Sequence, residues 1–389
     1  MRILMVTPSY YPTLGGTETY VEQLTQKLNE KGVKADIMTL NMASKWNPVG
    51  RDETGKANGA RLFRISAHNP RLFNFHNHSI YGELFNVHVI PRMSFAREFD
   101  HYDVIHFHDD TDFTFPFFSS LALKKSRPRL WHLHTIPYTY RRYERNPLLK
   151  SMIRRTADLY IGLSKYTIPF MLKLGLPESK LAILPNAIDT AKFRPNKKMK
   201  TDNLILSVGR IIPQKGLDVL LKALFQLEPP TQVAIVGPIS DKLFFSEIQR
   251  LVQKVNETTV HKVSYLGPLS GNALVELYQK AAIFAAPART DHFPIANLEA
   301  LACGTPVIAT PTGAVPDVIE DRRNGLMIPS DEPTALASAL TTLLENKKLS
   351  ESYGRKGKEI VEEYFSWNVV VEKVIRIYNQ LLNARLHKT

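Results

Sequence analysis

The sequence predicts an α/β protein of two domains, each built on a parallel sheet. Three observations carry this. A length of 389 residues exceeds what one hydrophobic core usually serves. Residues 2–40 read strand, glycine-bearing loop, helix, strand, an order that implies a parallel sheet. Residues 203–224 then repeat strand, loop and helix, and further short apolar runs follow to residue 309.

Composition narrows the class. Apolar residues make up 44% and charged residues 22%, the balance of a soluble globular protein. The net charge is +13, and it is uneven: residues 1–195 hold 27 basic and 17 acidic side chains, residues 196–389 hold 23 and 20. A basic N-terminal half points to an anionic partner. One cysteine, Cys303, excludes an intrachain disulfide, fits a reducing compartment and reads as core. The opening run MRILMVTPSYYP is too short for a secretion signal, and no stretch has the ~20 apolar residues of a membrane span. A cytoplasmic protein is expected, with a peripheral place on the cytoplasmic face of a membrane left open.

In the first half, Arg2 to Thr7 reads as a strand, about Glu18 to Lys31 as a helix, and Val33 to Leu40 as a strand. Gly15 and Gly16 in the intervening loop allow backbone to approach a ligand, with helix N–H groups behind them. The loop is not G-x-G-x-x-G, so a nicotinamide fingerprint is absent. Residues 41–100 lack clear periodicity and stay unassigned. Asp103 to Phe107 and Leu130 to His134 read as strands. His106 and His108 share one strand face, as do His132 and His134. Four such histidines are of metal-ligand type, but Asp109, Asp110 and Asp112 beside them suit a solvated loop, and no metal is expected. In 140–156 the basic residues Arg141, Arg142, Arg145, Lys150, Arg154 and Arg155 flank an apolar face, a pattern suited to an anionic membrane surface or to an ordinary surface helix.

In the second half, the strand Asn203 to Val208 runs into GRIIPQKG, where Arg210 and Lys215 sit on one loop. Two cations at the carboxyl end of a strand suit a diphosphate. Strands follow at Gln232 to Val236, Val263 to Leu266 and Ile283 to Ala286, with a helix over Ala273 to Ala281. Backbone near Gly237 and Leu266 is placed beside a nucleobase. The densest stretch runs from Ala288 to Thr310. Asp291 falls on a loop, a helix begins near Pro294 or Ile295, Glu299 lies about one turn in, and Gly304 ends it. The N–H groups of Ile295 and Ala296 then face outward and attract phosphate. Carboxylates accept several hydrogen bonds and suit sugar and ribose hydroxyls. Phosphate plus hydroxyls points to a nucleotide sugar. The last helix carries an apolar stripe from Trp367 to Leu382.

The segment from Asp291 to Glu299 resembles the E-x7-E signature of the retaining GT-B-fold glycosyltransferases, glycosyltransferase family 4 or "glycosyl transferases group 1". Aspartate stands where the family has its first glutamate, and Pro294 where it has glycine. GGTE at Gly15–Glu18 resembles the family's GG-x-E cleft loop, WHLHT its strand ending in a cleft histidine, and GRIIPQKG its G-R-x4-K-G loop. PNAID with FRP resembles its interdomain linker, Ala187 replacing glycine. The resemblance spans about residues 3–378. It implies two Rossmann-like parallel-sheet domains facing an interdomain cleft: an acceptor-binding domain over 1–190, a nucleotide-sugar domain over 191–365, and a helix over 366–389 crossing back.

By the same resemblance, the reaction is metal-independent, retaining transfer of a hexosyl group from a nucleotide diphosphate sugar to a hydroxyl of a lipid-linked or glycan acceptor, with no cofactor. Asp291 and His134 would hold the sugar, and Glu299 the ribose. Arg210, Lys215, Gly16, Ile295 and Ala296 would hold the diphosphate. Gly15, Glu18 and Gly313 would line the cleft. A GT-B nucleotide-sugar epimerase is the alternative. Nucleic-acid binding finds no recognition motif, and no nucleic-acid partner is expected.

Overall fold

The computed structural model describes residues 1–11, 15–44, 47–68, 74–75, 78–79, 90–91, 93–109, 120, 127–134, 147–196 and 198–386. The chain divides into two compact units, Met1–Pro185 with Val370–Thr389, and Asn186–Val369.

The first unit holds an eight-stranded sheet. Its strands are β1 (Arg2–Thr7), β2 (Lys34–Leu40), β3 (Glu53–Ala57), β4 (Ala60–Ile65), β5 (Val104–Asp109), β6 (Arg129–Leu133), β7 (Leu159–Gly162) and β8 (Leu181–Ile183). Their order is β8-β7-β6-β5-β1-β2-β4-β3. Every neighbouring pair is parallel except the β3–β4 hairpin. The central strand β1 is buried from Ile3 to Thr7, as an apolar run covered on both faces must be. Helix α1 (Gly16–Glu30) buries Tyr20, Val21, Leu24 and Leu28, and it begins two residues before the predicted Glu18. Trp131, Tyr160 and Phe107 fill the core, each fully buried aromatic contributing roughly 2–3 kcal/mol. The β3–β4 hairpin, unread in the sequence, turns at Asn58 and Gly59, both with positive φ (48° and 86°). Helix α2 (Pro147–Ile153) has proline at its first position. The rest of the basic segment, 140–146, lies outside the described residues, as do Asp110 and Asp112.

The second unit holds six parallel strands, β9 (Leu204–Val208), β10 (Gln232–Val236), β11 (Lys262–Tyr265), β12 (Ile283–Ala286), β13 (Val307–Ala309) and β14 (Gly325–Met327). Their order is β11-β10-β9-β12-β13-β14. The order reverses between β9 and β12. In an open parallel sheet this switch point leaves a crevice outside the carboxyl ends of the strands. Helix α3 (Leu217–Ala223) follows the loop after β9. Helix α4 (Ile295–Ala302) lies between β12 and β13, starting after Pro294 and closing through Cys303 before Gly304. Cys303 is buried, and burial pushes its thiol up to about 12.

The chain's last helix, α5 (Trp367–Leu386), buries Trp367, Val370, Val371, Val374 and Tyr378. Its portion from Val370 onward belongs to the first unit. There Glu372 pairs with Lys31, and the Tyr378 hydroxyl lies 2.7 Å from His106 Nδ1. Among the described residues no helix is long and apolar enough to cross a membrane.

Candidate active site

The loop after β9 carries Arg210 and Lys215, and the loop after β12 carries Asp291. Backbone bonds lace the two together: Arg289 N–H donates to the Gln214 carbonyl at 2.8 Å and Thr290 N–H to the same oxygen at 3.3 Å. The Arg289 side chain completes the lacing. It donates to the Pro213 carbonyl at 2.6 Å, clasps both carboxylate oxygens of Asp218 at 2.8 and 2.9 Å, and pairs with Asp331 at 2.6 Å. Burial alone would raise the Asp218 carboxyl, but bonds from Arg289 and Lys222 outweigh it and hold the group below its ordinary value.

Two glycines make the close approach possible. Gly216 has φ of 66°, and a Cβ there would sit 1.9 Å from the Pro287 carbonyl oxygen. Gly313 has φ of 54°, and a Cβ there would sit 1.7 Å from the Asp291 carbonyl oxygen.

A cavity of about 320 Å³ results at the switch point. Arg210, Lys215, Asp291, Ile295, Ala296 and Glu299 all line it. Lys215 Nζ donates to Asp291 Oδ2 at 2.7 Å. Arg210 is exposed and has no carboxylate partner among the described residues. Ile295 N–H turns back to the Phe293 carbonyl at 3.0 Å. That leaves the Ala296 N–H as the donor at the head of α4 without an acceptor among the described residues, which singles out one of the two predicted amides. Burial pushes the Glu299 carboxyl up to about 7, against a 2.7 Å bond donated by the Tyr278 hydroxyl.

Gly313 packs against the backbone of Asp291 and His292 and stands outside the cavity lining. Gly237 and Leu266 stand outside the cavity lining; Gly237 N–H bonds the Gly267 carbonyl at 2.9 Å, and Leu266 is exposed. The sequence reading passed over Asn297. It is 2% exposed, lines the cavity, and its Nδ2 has no acceptor among the described residues. Its position two residues before Glu299 on α4 was the available signal.

The remaining predicted residues lie on the first unit, at the carboxyl ends of β1 and β6. Gly15 precedes α1 and Gly16 is its first residue. Glu18 is buried and accepts a bond from the Ser9 hydroxyl. His134 follows β6, 8% exposed, with Tyr20 packed against its ring. Burial holds its imidazole neutral, with the pKa lowered to about 3.

Two family models match the chain. "Glycosyltransferase Family 4" covers residues 14–192, and "Glycosyl transferases group 1" covers residues 189–360. The chain belongs to the GT-B glycosyltransferases of family 4. This glycosyltransferase is 25% identical to O-antigen chain mannosyltransferase C of Escherichia coli, covering 99% of this chain and 100% of that one. It is 24% identical to the GDP-mannose-dependent alpha-(1-6)-phosphatidylinositol monomannoside mannosyltransferase of Mycobacterium tuberculosis, covering 96% and 97%. Among solved structures, Anabaena HepE in complex with UDP superposes with a TM-score of 0.77 at 17% identity, over 98% of this chain and 100% of that one. The α/β two-domain GT-B fold of this glycosyltransferase is thus common to both the sequence motifs and the solved structures.

Proposed function

We propose that this glycosyltransferase moves a hexosyl group from a nucleotide diphosphate sugar to a hydroxyl of a lipid-linked or glycan acceptor, with retention of configuration and without a metal. One observation carries the donor reading. Arg210, Lys215 and the Ala296 N–H converge at the switch point of the second unit, in one cavity with Asp291 and Glu299. Fixed cations and an oriented amide stabilise the diphosphate as it takes up charge on leaving. Glu299, ionised, accepts ribose hydroxyls. Asp291 and His134 take sugar hydroxyls. The C1–O bond to the diphosphate breaks with its electron pair on phosphate. The acceptor oxygen bonds C1 from the same face, and its proton passes to that phosphate oxygen. On the first unit, Gly16 takes a phosphate oxygen and Gly15 and Glu18 carry the loop around it; on the second, Gly237 and Leu266 flank the base.

The mycobacterial relative's name specifies GDP-mannose, and the E. coli relative's name a mannosyl group on O-antigen chains. GDP-mannose is therefore the first donor to test, and polyprenyl- or lipid-linked saccharides the first acceptors. Calorimetric titration with UDP-, GDP- and ADP-sugars in chelator should give selective binding of one donor, and the product's anomeric configuration by NMR should match the donor's. Donor consumption that needs no acceptor would replace the transferase reading with the epimerase. Contact with an anionic membrane through 140–156, on the cytoplasmic face, belongs to the same proposal. Co-sedimentation with anionic but not neutral vesicles is its test.

A further inference from the structure

Four buried histidines crowd the carboxyl ends of β5 and β6. His106, His108, His132 and His134 project from one face, since residues two apart on a strand share a side and His108 stands opposite His132 in the register. His106 and His108 rings lie 4.1 Å apart and His132 and His134 rings 4.2 Å apart. His106, His108 and His132 each bring one ring nitrogen within 4.8 Å of the others. A metal would need a free lone pair on each of the three. His108 has none to spare. Its Nδ1 lies 3.1 Å from His134 Nε2, and its Nε2 lies 3.4 Å from the sulfur of Met5 on β1.

A thioether sulfur carries no proton and can only accept. Of the two neutral tautomers only the one with its proton on His108 Nε2 turns this contact into a hydrogen bond, so the proton is assigned to that nitrogen. In a neutral imidazole the other nitrogen, Nδ1, is then the acceptor. His134 Nε2 must donate to it, which leaves Nδ1 of His134 unprotonated. We infer that Met5 and His108 lock His134 in its Nε2–H tautomer, so that His134 offers its ligand an acceptor lone pair and never a donor. His134 keeps a small exposed edge, 8% of its surface, through which a ligand can reach it. The group it takes is a hydroxyl that donates, as a sugar hydroxyl does, and a bare carbonyl or phosphate oxygen is excluded there. This chemical consequence rests on the transferase reading proposed above; the protonation pattern does not. His108 is a positioning residue.

Long-range 1H–15N correlation spectra of the full chain labelled in histidine test the pattern directly. The expected result is an Nε2–H tautomer at both His108 and His134, with Nδ1 of each unprotonated. His108→Asn keeps an acceptor oxygen where Nδ1 stood, and His108→Phe removes it. His134 should stay in one tautomer in the asparagine variant and become mixed in the phenylalanine variant. With the donor and acceptor in hand, kcat should fall about tenfold or more in His108→Phe and recover in His108→Asn, as for other hydrogen-bonded supports of a functional imidazole. An Nδ1–H tautomer at His134 in the wild type overturns the inference. So does stoichiometric zinc binding that shifts His106, His108 and His132 together. A clean Nε2–H spectrum in a protein that transfers no sugar would uphold the tautomer lock while removing the transferase reading.

Discussion

Lys215 and Asp291 hold each other: Nζ donates to Oδ2 at 2.7 Å, with both side chains partly buried in the cavity at the switch point. The lysine proposed for the diphosphate is thus neutralised by the carboxylate proposed for the sugar. On that proposal a donor entering the cavity would exchange one anion for another at Lys215 and release Asp291 to the sugar. Such coupling makes the two residues separable by experiment.

Asp291→Asn removes the competing charge. Affinity for the free nucleoside diphosphate should stay level or rise by a few-fold, while turnover falls about 100-fold or more because a sugar contact of the transition state is lost. Lys215→Ala should weaken both, the diphosphate affinity by about tenfold or more. Calorimetry with the nucleoside diphosphate and initial-rate assays separate the two patterns; equal losses in both variants would break the proposed division of labour.

Glu299 gives a pH dependence. Its carboxyl is raised to about 7 by burial, so the empty site is increasingly protonated as pH falls through that value. A ribose bound through the ionised carboxylate favours deprotonation. Donor affinity should therefore be full above pH 8 and fall by at most tenfold per unit below pH 7. Glu299→Gln should flatten this profile at lower affinity. Tyr278→Phe removes a bond that stabilises the charge and should move the inflection upward. Titrations from pH 5.5 to 8.5 decide it.

Arg289 tests the lacing of the two loops. Arg289→Gln breaks the clasp on Asp218 and the bond to the Pro213 carbonyl. We expect a loss of about 1–3 kcal/mol in stability for the partly buried network, and a kcat/KM reduced about tenfold through displaced Lys215 and Asp291. Thermal melts and steady-state rates read the two effects separately.

Gly313→Ala forces a methyl group against the Asp291 carbonyl, which is backbone and cannot swing away. A positive φ adds strain of about 1 kcal/mol for a residue other than glycine. The variant should fold with a lowered melting temperature and lose activity disproportionately, because the shift is delivered to Asp291 itself.

Much of this arrangement could be read from the chain because it is local. Arg210 and Lys215 share a loop, and Asp291, Ala296 and Glu299 fall within nine residues, so periodicity and helix-start rules place each group, while the resemblance brings the two groups to one site. The apolar runs of β9, β10 and β12 stood out for the same reason. What escaped depended on partners distant in sequence. Arg289 reads as one more surface cation until folding brings it to Asp218, 71 residues away. Asn297 reads as a helix residue until its neighbours bury it. The β3–β4 hairpin is different: Asn58-Gly59 is a strong turn signal, but β3 is almost wholly exposed and carries no apolar alternation to flank it. The resemblance singled out His134, but the supporting part of His108 stayed hidden, because spacing on two strands says nothing of which ring nitrogens meet.

The return of α5 has a practical consequence for anyone recombining such enzymes. The first unit is not one continuous length of chain; Asn186–Val369 is inserted into it. Exchanging the unit proposed to hold the donor with a relative's therefore calls for two crossovers, near Pro185 and near Val369, with Val370 onward kept from the recipient. A single crossover near Pro185 would import a foreign last helix and replace the tyrosine whose hydroxyl meets His106. Chimeras cut twice should melt cooperatively, and those cut once should carry a mismatched core in the half that was meant to stay untouched.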